Sequence, residues 1–518
     1  MSQLDTSASN KRIAKNTILL YLRLILLLVV TLYTSRVVLA TLGIDDYGLY
    51  NVVGGVVTMF TFLNSAMANS SNRFITYALG KGNEKELHDT VCSTCVIHWI
   101  IAGIILILAE TIGLWFLNNK MVIPESRLLA CNWVYQFSII ACIVTIISVP
   151  YNAMIIAHEK MATFAFISIL DAGLKLLIVF LIQLSNSDKL ILYAGLILCV
   201  NIIIRFIYQL YCRRNFEEAK NIKYKRLPEL KSIASFAGWS LIGNLAYIGY
   251  TQGLNILLNL FFGPAVNAAR GVAVQVQSAV KAFVGNFQTA INPQIVKSYA
   301  TNDLSRMHNL VFASSKFSYY LLLCMVLPLS IEAENILSIW LKEVPDYSVV
   351  FTILTLCITL VEPLSNPIGV ANNATGDIRL YQIVEGGSLL MIVPIAYIIL
   401  RCGGAPISVF IVQLVIMYLV QLVRIFLVCN KIGMSKRTYI TRVIVRVVVV
   451  TITSSIIPLL CYYYMPETIL SGISIVLISI LNVIICAYLF GLNTFERNLI
   501  NAKMISYMHR FQKLSLSK

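Results

Sequence analysis

The sequence predicts an all-α polytopic membrane protein with fourteen transmembrane helices, arranged as two six-helix lobes in a parallel repeat plus two further helices. Three observations predict it. Of 518 residues, 58% are hydrophobic and only 12% charged, whereas soluble domains carry about 25% charged residues. Apolar stretches of about 20 residues, enough to cross a bilayer as a helix, recur along the whole chain. The second half also aligns on the first.

In chain order the expected spans are 17–42, 47–72, 90–117, 127–156, 161–184, 189–212, 232–262, 264–297, 307–331, 347–372, 378–400, 406–429, 440–464 and 468–491. The first, Ile18–Leu42, is too long for a signal-peptide core and lacks a small-residue cleavage pattern, so it is expected to be retained. With the N-terminus in the cytoplasm, the inside segments hold 25 Lys and Arg and the outside loops five. That asymmetry follows the positive-inside rule and places both termini in the cytoplasm. It also accounts for most of the net charge of +16, so no nucleic-acid partner is expected. The outside loops are short and leave no room for an external domain. The expected division is 1–214 (N-lobe, helices 1–6), 215–231 (cytoplasmic linker), 232–432 (C-lobe, helices 7–12), 433–491 (helices 13 and 14) and 492–518 (basic tail). The tail either lies on the inner membrane surface as an amphipathic helix or is disordered.

The repeat is weak at each position but ordered. At an offset of 220, Gly43, Val52, Val56, His88 and Val91 meet Gly263, Val272, Val276, His308 and Val311, and GKGNEKELHDTV aligns with ATNDLSRMHNLV without a gap. At an offset of 214, Asn152 meets Asn366, and ILDAGLKLLIV (169–179) meets IVEGGSLLMIV (383–393), so Asp171 matches Glu385. Six spans per unit is an even number. The halves therefore share an orientation and are related by an axis along the membrane normal, as in transporters that rock around a substrate held between them.

The first two helices of each half are the polar ones. Helix 1 carries Arg23, with Asn16, Thr34 and Thr41 near its face, and Arg36 toward the outer end. Helix 2 carries Asn51, Thr58, Asn69 and Arg73. Helix 7 carries Ser240, Asn244, Tyr247, Thr251 and Asn255. Helix 8 carries Arg270, Gln277, Lys281 and Gln288, which fall within about 40° of one another at 100° per residue. A central charge costs about 2.5–3.5 kcal/mol on insertion scales, so such a stripe faces protein or a wet cavity rather than lipid. Arg23, Arg36, Arg270 and Lys281 are candidate cations for an anionic substrate. Asn244, Tyr247, Asn255, Gln277 and Gln288 are candidate polar contacts to the substrate. By depth, Arg205, Arg424 and Arg446 are expected to snorkel to the inner surface.

The acids divide differently. Asp171 and Lys175 form an i,i+4 pair in the favourable order: they neutralise each other or carry a coupling ion. Glu385 has Leu389 where its repeat partner has a lysine; it finds a base elsewhere or is protonated. Glu362 lies on a helix with Pro363 and Pro367, a gate or ion site or a satisfied kink. Cys92 and Cys95 form a CxxC with His98 three residues on, but no second pair accompanies them and the run is apolar, so packing is expected rather than metal. No cofactor is expected. Coupling to a Na+ or H+ gradient or to the membrane potential is.

NTILLYLRLILLLVVTLYTSRVVLATLGIDDYGLYNVVGG (16–55), SSNRFITYALGKGN (70–83) and VPYNAMIIAHEKM (149–161) resemble the Wzx-type polysaccharide flippases of the multidrug/oligosaccharidyl-lipid/polysaccharide exporter superfamily. The resemblance spans the whole chain. It implies export of undecaprenyl-diphosphate-linked oligosaccharide across the bacterial inner membrane for O-antigen- or capsule-like polysaccharide, among membrane lipids and beside a polymerase and other assembly proteins. It also implies cavity arginines on helices 1, 2 and 8. Arg23, Arg36 and Arg270 match in kind, but the mid-helix 2 arginine is missing, since Arg73 lies near the cytoplasmic end.

Two other readings compete. A cationic-drug antiporter of the same superfamily calls for an acidic, aromatic cavity, which the cationic stripe opposes. An integral-membrane glycosyltransferase or polymerase is prompted by Asp45 and Asp46 in the first outer loop, but such enzymes need sizeable outer loops. A turn and helix cap explain these two acids.

Overall fold

The computed structural model describes residues 3–43, 46, 49–50, 53, 61–119, 123–185, 188–222, 229–341, 344–466, 468–494, 496–498 and 501. The described residues are helical almost throughout. The long helices are α1 (Gln3–Leu42), α2 (Thr61–Lys81), α3 (Glu84–Asn119), α4 (Glu125–Ala157), α5 (Met161–Leu184), α6 (Lys189–Asn215), α7 (Leu230–Phe262) and α8 (Pro264–Ala300). They continue as α9 (Leu304–Ile331), α10 (Ser348–Ala374), α11 (Arg379–Arg401), α12 (Ile407–Lys431), α13 (Lys436–Tyr464) and α14 (Ile469–Gly491). Ten of these, α3–α6 and α9–α14, are long and apolar enough to cross a membrane. The four that fall short are α1, α2, α7 and α8. These are the helices singled out above as polar; in α7 and α8 polar residues dilute the apolar stretch, whereas α1 carries an apolar run over Asn16–Thr31.

Residues paired by the repeat share backbone conformation. Gly43 and Gly263, each ending a helix, have φ of 82° and 80°, where glycine carries no Cβ penalty. Gly82 and Asn302, also 220 apart, have φ of 73° and 58°. The next positions cap the helices that follow: Asn83 Oδ1 accepts from the Lys85 and Glu86 amides, and Asp303 Oδ1 accepts from the Arg306 amide at 3.1 Å, the role that asparagine and aspartate favour.

The chain divides into two compact units. The first is 1–251 with 285–310 and 369–390; the second is 252–284, 311–368 and 391–518. In the first, Ile75, Val91, Met154, Ile155, Ile167 and Cys212 form a core shared by α2–α6. A second cluster joins Met67 and Phe74 of α2 to Ile233 and Phe236 of α7 and to Ile378. In the second unit Tyr439 is buried beneath α10, donating to the Leu364 carbonyl at 3.1 Å. Lys316, 2% exposed, ends on both Glu496 oxygens at 2.7 and 2.8 Å, which ties the start of the tail to α9.

Two helices are broken. In α10 the α-helical runs are Ser348–Thr359 and Glu362–Ala374. Pro363 has no N–H for the Thr359 carbonyl and its ring crowds it, so the break falls just before the proline, which then occupies the first turn of the new helix. Pro367 lies inside that second run, so the two prolines make one break rather than two. In α11 the runs are Arg379–Leu390 and Ile392–Arg401, and Pro394 sits just past the junction.

Candidate functional site

The α8 stripe is the centre of the candidate site. In the second unit it lies along α7 and the α10 break. Arg270 is 6% exposed and donates from Nη1 to Asn255 Oδ1 on α7. Gln277 Nε2 donates to Thr359 Oγ1 at 2.8 Å, on the last residue of the first α10 run. One turn on, Lys281 Nζ is paired with Glu362, the first residue of the second run. Gln277 and Lys281 therefore straddle the break, and part of the polar stripe serves the interrupted helix.

The Lys281–Glu362 pair answers two expectations at once. Lys281 is not a bare attractor for anions, and Glu362 has a partner. The pair is accessible, with side chains 24% and 41% exposed. A half-exposed ion pair within a span is costly against lipid, so the arrangement fits a wet, polar surface. Complementary charges on two polar spans were the signal in the sequence that would have joined these residues.

The first unit holds the other candidates. Arg23 lies with its guanidinium 4.4 Å from the centre of the Phe164 ring, a cation–π contact between α1 and α5. Asp171 accepts from Lys175 at 2.8 Å with both side chains about one-third exposed, so this pair is made within α5. Asn244 is half-buried on α7, Tyr247 is exposed and packs edge-on against Tyr250, Gln288 is buried on α8, and Glu385 is half-buried on α11. For Arg36 the backbone alone is described. Asn51, Thr58 and Asp45 lie outside the described residues. Asp46 is buried and paired with Arg127, which also holds Asp188 at 2.6 Å, a clasp at the start of α4. Arg424, expected to snorkel, is 6% exposed and packs within the fold.

The contacts of two further residues were not visible in the sequence. Arg73, 9% exposed, donates to the carbonyls of Asn373 and Ala374 at 3.0 and 2.9 Å. It satisfies the end of α10, where a cation suits the helix dipole. Glu159, in the α4–α5 turn, accepts from Gln294 at 2.6 Å and Lys297 at 2.7 Å on α8. Both sets of contacts join residues more than a hundred positions apart, which no local pattern reveals.

No protein-family model matches the chain, and no curated protein matches it. Solved structures share its fold. An outward-facing MATE family multidrug-resistance transporter of the MOP superfamily superposes with a TM-score of 0.71 at 12% identity, covering 82% of this chain and 96% of that one. MATE in its bent conformation gives 0.68 at 13%, covering 83% and 97%. A MOP superfamily transporter from Pyrococcus furiosus, whose binding pocket is described as reversed in polarity and suggestive of a different function, gives 0.67 at 12%, covering 82% and 96%. The chain is a multi-pass membrane protein with the MATE-type transporter fold.

Proposed function

We propose that this chain is a flippase that carries a polyprenyl-diphosphate-linked oligosaccharide across the bacterial inner membrane by alternating access, for surface polysaccharide assembly. The observation that carries the reading is the cationic side of the α8 stripe: buried Arg270 beside Asn255, and Lys281 on an accessible ion pair. A diphosphate leaving water needs several cations, and arginine meets phosphate with paired hydrogen bonds. In this reading the phosphate competes with Glu362 for Lys281. Arg23 and Arg36 add charge on α1, and Asn244, Tyr247, Asn255, Gln277 and Gln288 meet the sugar. Asp171, Lys175, Glu362 and Glu385 take up the coupling ion or set the gate. The match to a MATE structure leaves about a fifth of this chain uncovered and almost none of that one, which leaves room for two helices beyond the two six-helix lobes of this reading. The test is the double variant Arg270→Gln with Lys281→Gln, followed by surface glycan at matched protein level. Loss of glycan is expected; unchanged glycan defeats the assignment.

A second reading, multidrug export, is favoured by the solved structures of this fold, which include a multidrug-resistance transporter. It predicts that deleting the protein sensitises cells to organic cations. Sensitisation with intact surface glycan would replace the first reading by the second.

A further inference from the structure

We propose that the α4–α5 turn is a latch: Glu159 holds the neighbouring ends of α1 and α8 together, α1 through its backbone carbonyl and α8 through its carboxylate, and the carboxylate releases α8 once in each transport cycle. The latch rests on the chain being a transporter whose helices part, and not on which cargo it carries.

Glu159 has φ of 58°, a left-handed conformation in which a residue other than glycine is strained. Among the described residues, six helix-ending turns use glycine with positive φ, including those at Gly82, Gly376 and Gly433. Glycine would make the α4–α5 turn with less strain, so the carboxylate must offset that cost through its contacts. Its side chain is 1% exposed. It accepts from Gln294 Nε2 at 2.6 Å and Lys297 Nζ at 2.7 Å, and its backbone carbonyl accepts from Asn16 Nδ2 of α1 at 3.3 Å. Arg306 Nη2 donates to Gln294 Oε1 at 3.1 Å, which orients the amide so that its N–H group faces Glu159. The adjacent His158 faces the other way. It meets Glu218 at 2.6 Å and stacks on Phe216 at 4.0 Å between ring centres, fixing the turn to the segment that precedes α7.

Polar contacts also tie this seam elsewhere, beside the apolar clusters of Met67, Phe74, Ile233, Phe236 and Ile378 and of Leu20, Met161 and Ala290. Arg73 of α2 holds the end of α10, and Thr90 of α3 donates to Glu229 at 2.8 Å. Gly80 lets α2 approach α8, since a Cβ there would stand 2.8 Å from Ala300 Cβ. When these polar contacts part, water replaces their hydrogen bonds, so they cost less to separate than apolar contacts of equal area. A seam that must open repeatedly is well served by contacts of this type.

The test uses the full chain in lipid nanodiscs without substrate, read by hydrogen exchange. In the native chain, amides of 156–161 and 291–300 are expected to become accessible together, well before those of α14. Glu159→Gln keeps the side-chain shape at the same φ and removes the charge; it should speed exchange in 291–300 about tenfold and leave α14 unchanged. Gly80→Ala, which wedges the seam without touching Glu159, should act in the same direction. The reversed pair Glu159→Lys with Lys297→Glu should recover protection. Unchanged exchange at 291–300 in Glu159→Gln and Gly80→Ala, or acceleration spread equally through α14, overturns the latch.

Discussion

Helix α8 carries two lysine–acid pairs in contrasting settings. Lys281 meets Glu362, whose side chain is 41% exposed, and Lys297 meets Glu159, whose side chain is 1% exposed. In the first, the ions keep access to solvent, so their attraction is screened and either partner can be exchanged for another ion. In the second, the carboxylate has left water, and its bonds to Lys297 and Gln294 help to make that tolerable. The same chemistry thus serves exchange at one place and closure at the other, and burial of the acid decides which.

The contrast breaks most visibly in stability. Lys297→Met removes the cation paired with the buried Glu159 carboxylate and is expected to cost about 3 kcal/mol, read as a lowered melting temperature in detergent; Lys281→Met should cost less than about 1 kcal/mol while impairing transport. Equal losses would erase the distinction. Gly376→Ala comes next. Its φ of 85° and the Arg73 Nη2 lying 2.6 Å from the added Cβ should together cost about 2 kcal/mol and loosen the clamp on α10, with no change at Lys281. A smaller effect is expected where α8 meets the α10 break: Gln277→Leu should cost about 1 kcal/mol, and Thr359→Val in the same chain should add much less than its own single-variant cost.

The smallest effect concerns acid. Burial alone would raise the Glu218 carboxyl, but the hydrogen bond and charge of His158 hold it below its ordinary value. Because the folded value is lowered, this contact contributes fully above the unfolded carboxylate value of about 4.3. The contribution fades as pH falls through the lowered value. Acidification below the ordinary carboxylate value should therefore cost the native chain more stability than Glu218→Gln, which has no carboxyl to protonate; an equal loss of melting temperature in the two below about pH 4 would contradict this.

Much of this was legible in the sequence. The helices followed from apolar runs, and the repeat located Gly43 and Gly263, whose matching φ values come from the same turn. The broken α10 was visible through Pro363, although only the structure shows that Pro367 leaves the second run continuous. The polar stripe on α8 was visible too, but its period gives the face and not the partner. Glu362 appeared as an acid on a kinked helix and Lys281 as a cation for substrate, and nothing local joined them. Arg73 and Glu159 were hidden more deeply. A basic residue near a helix end and an acid in a short turn are ordinary surface features in sequence, and only the long-range fold buries them.

The most direct measurement is binding of undecaprenyl diphosphate to the purified protein in detergent, compared among the native chain, Lys281→Gln and Glu362→Gln. If the phosphate competes with Glu362 for Lys281, removing the competing carboxylate should tighten binding about tenfold and removing the ammonium should weaken it by a similar factor. Equal affinity in all three proteins would contradict an anionic cargo at this pair.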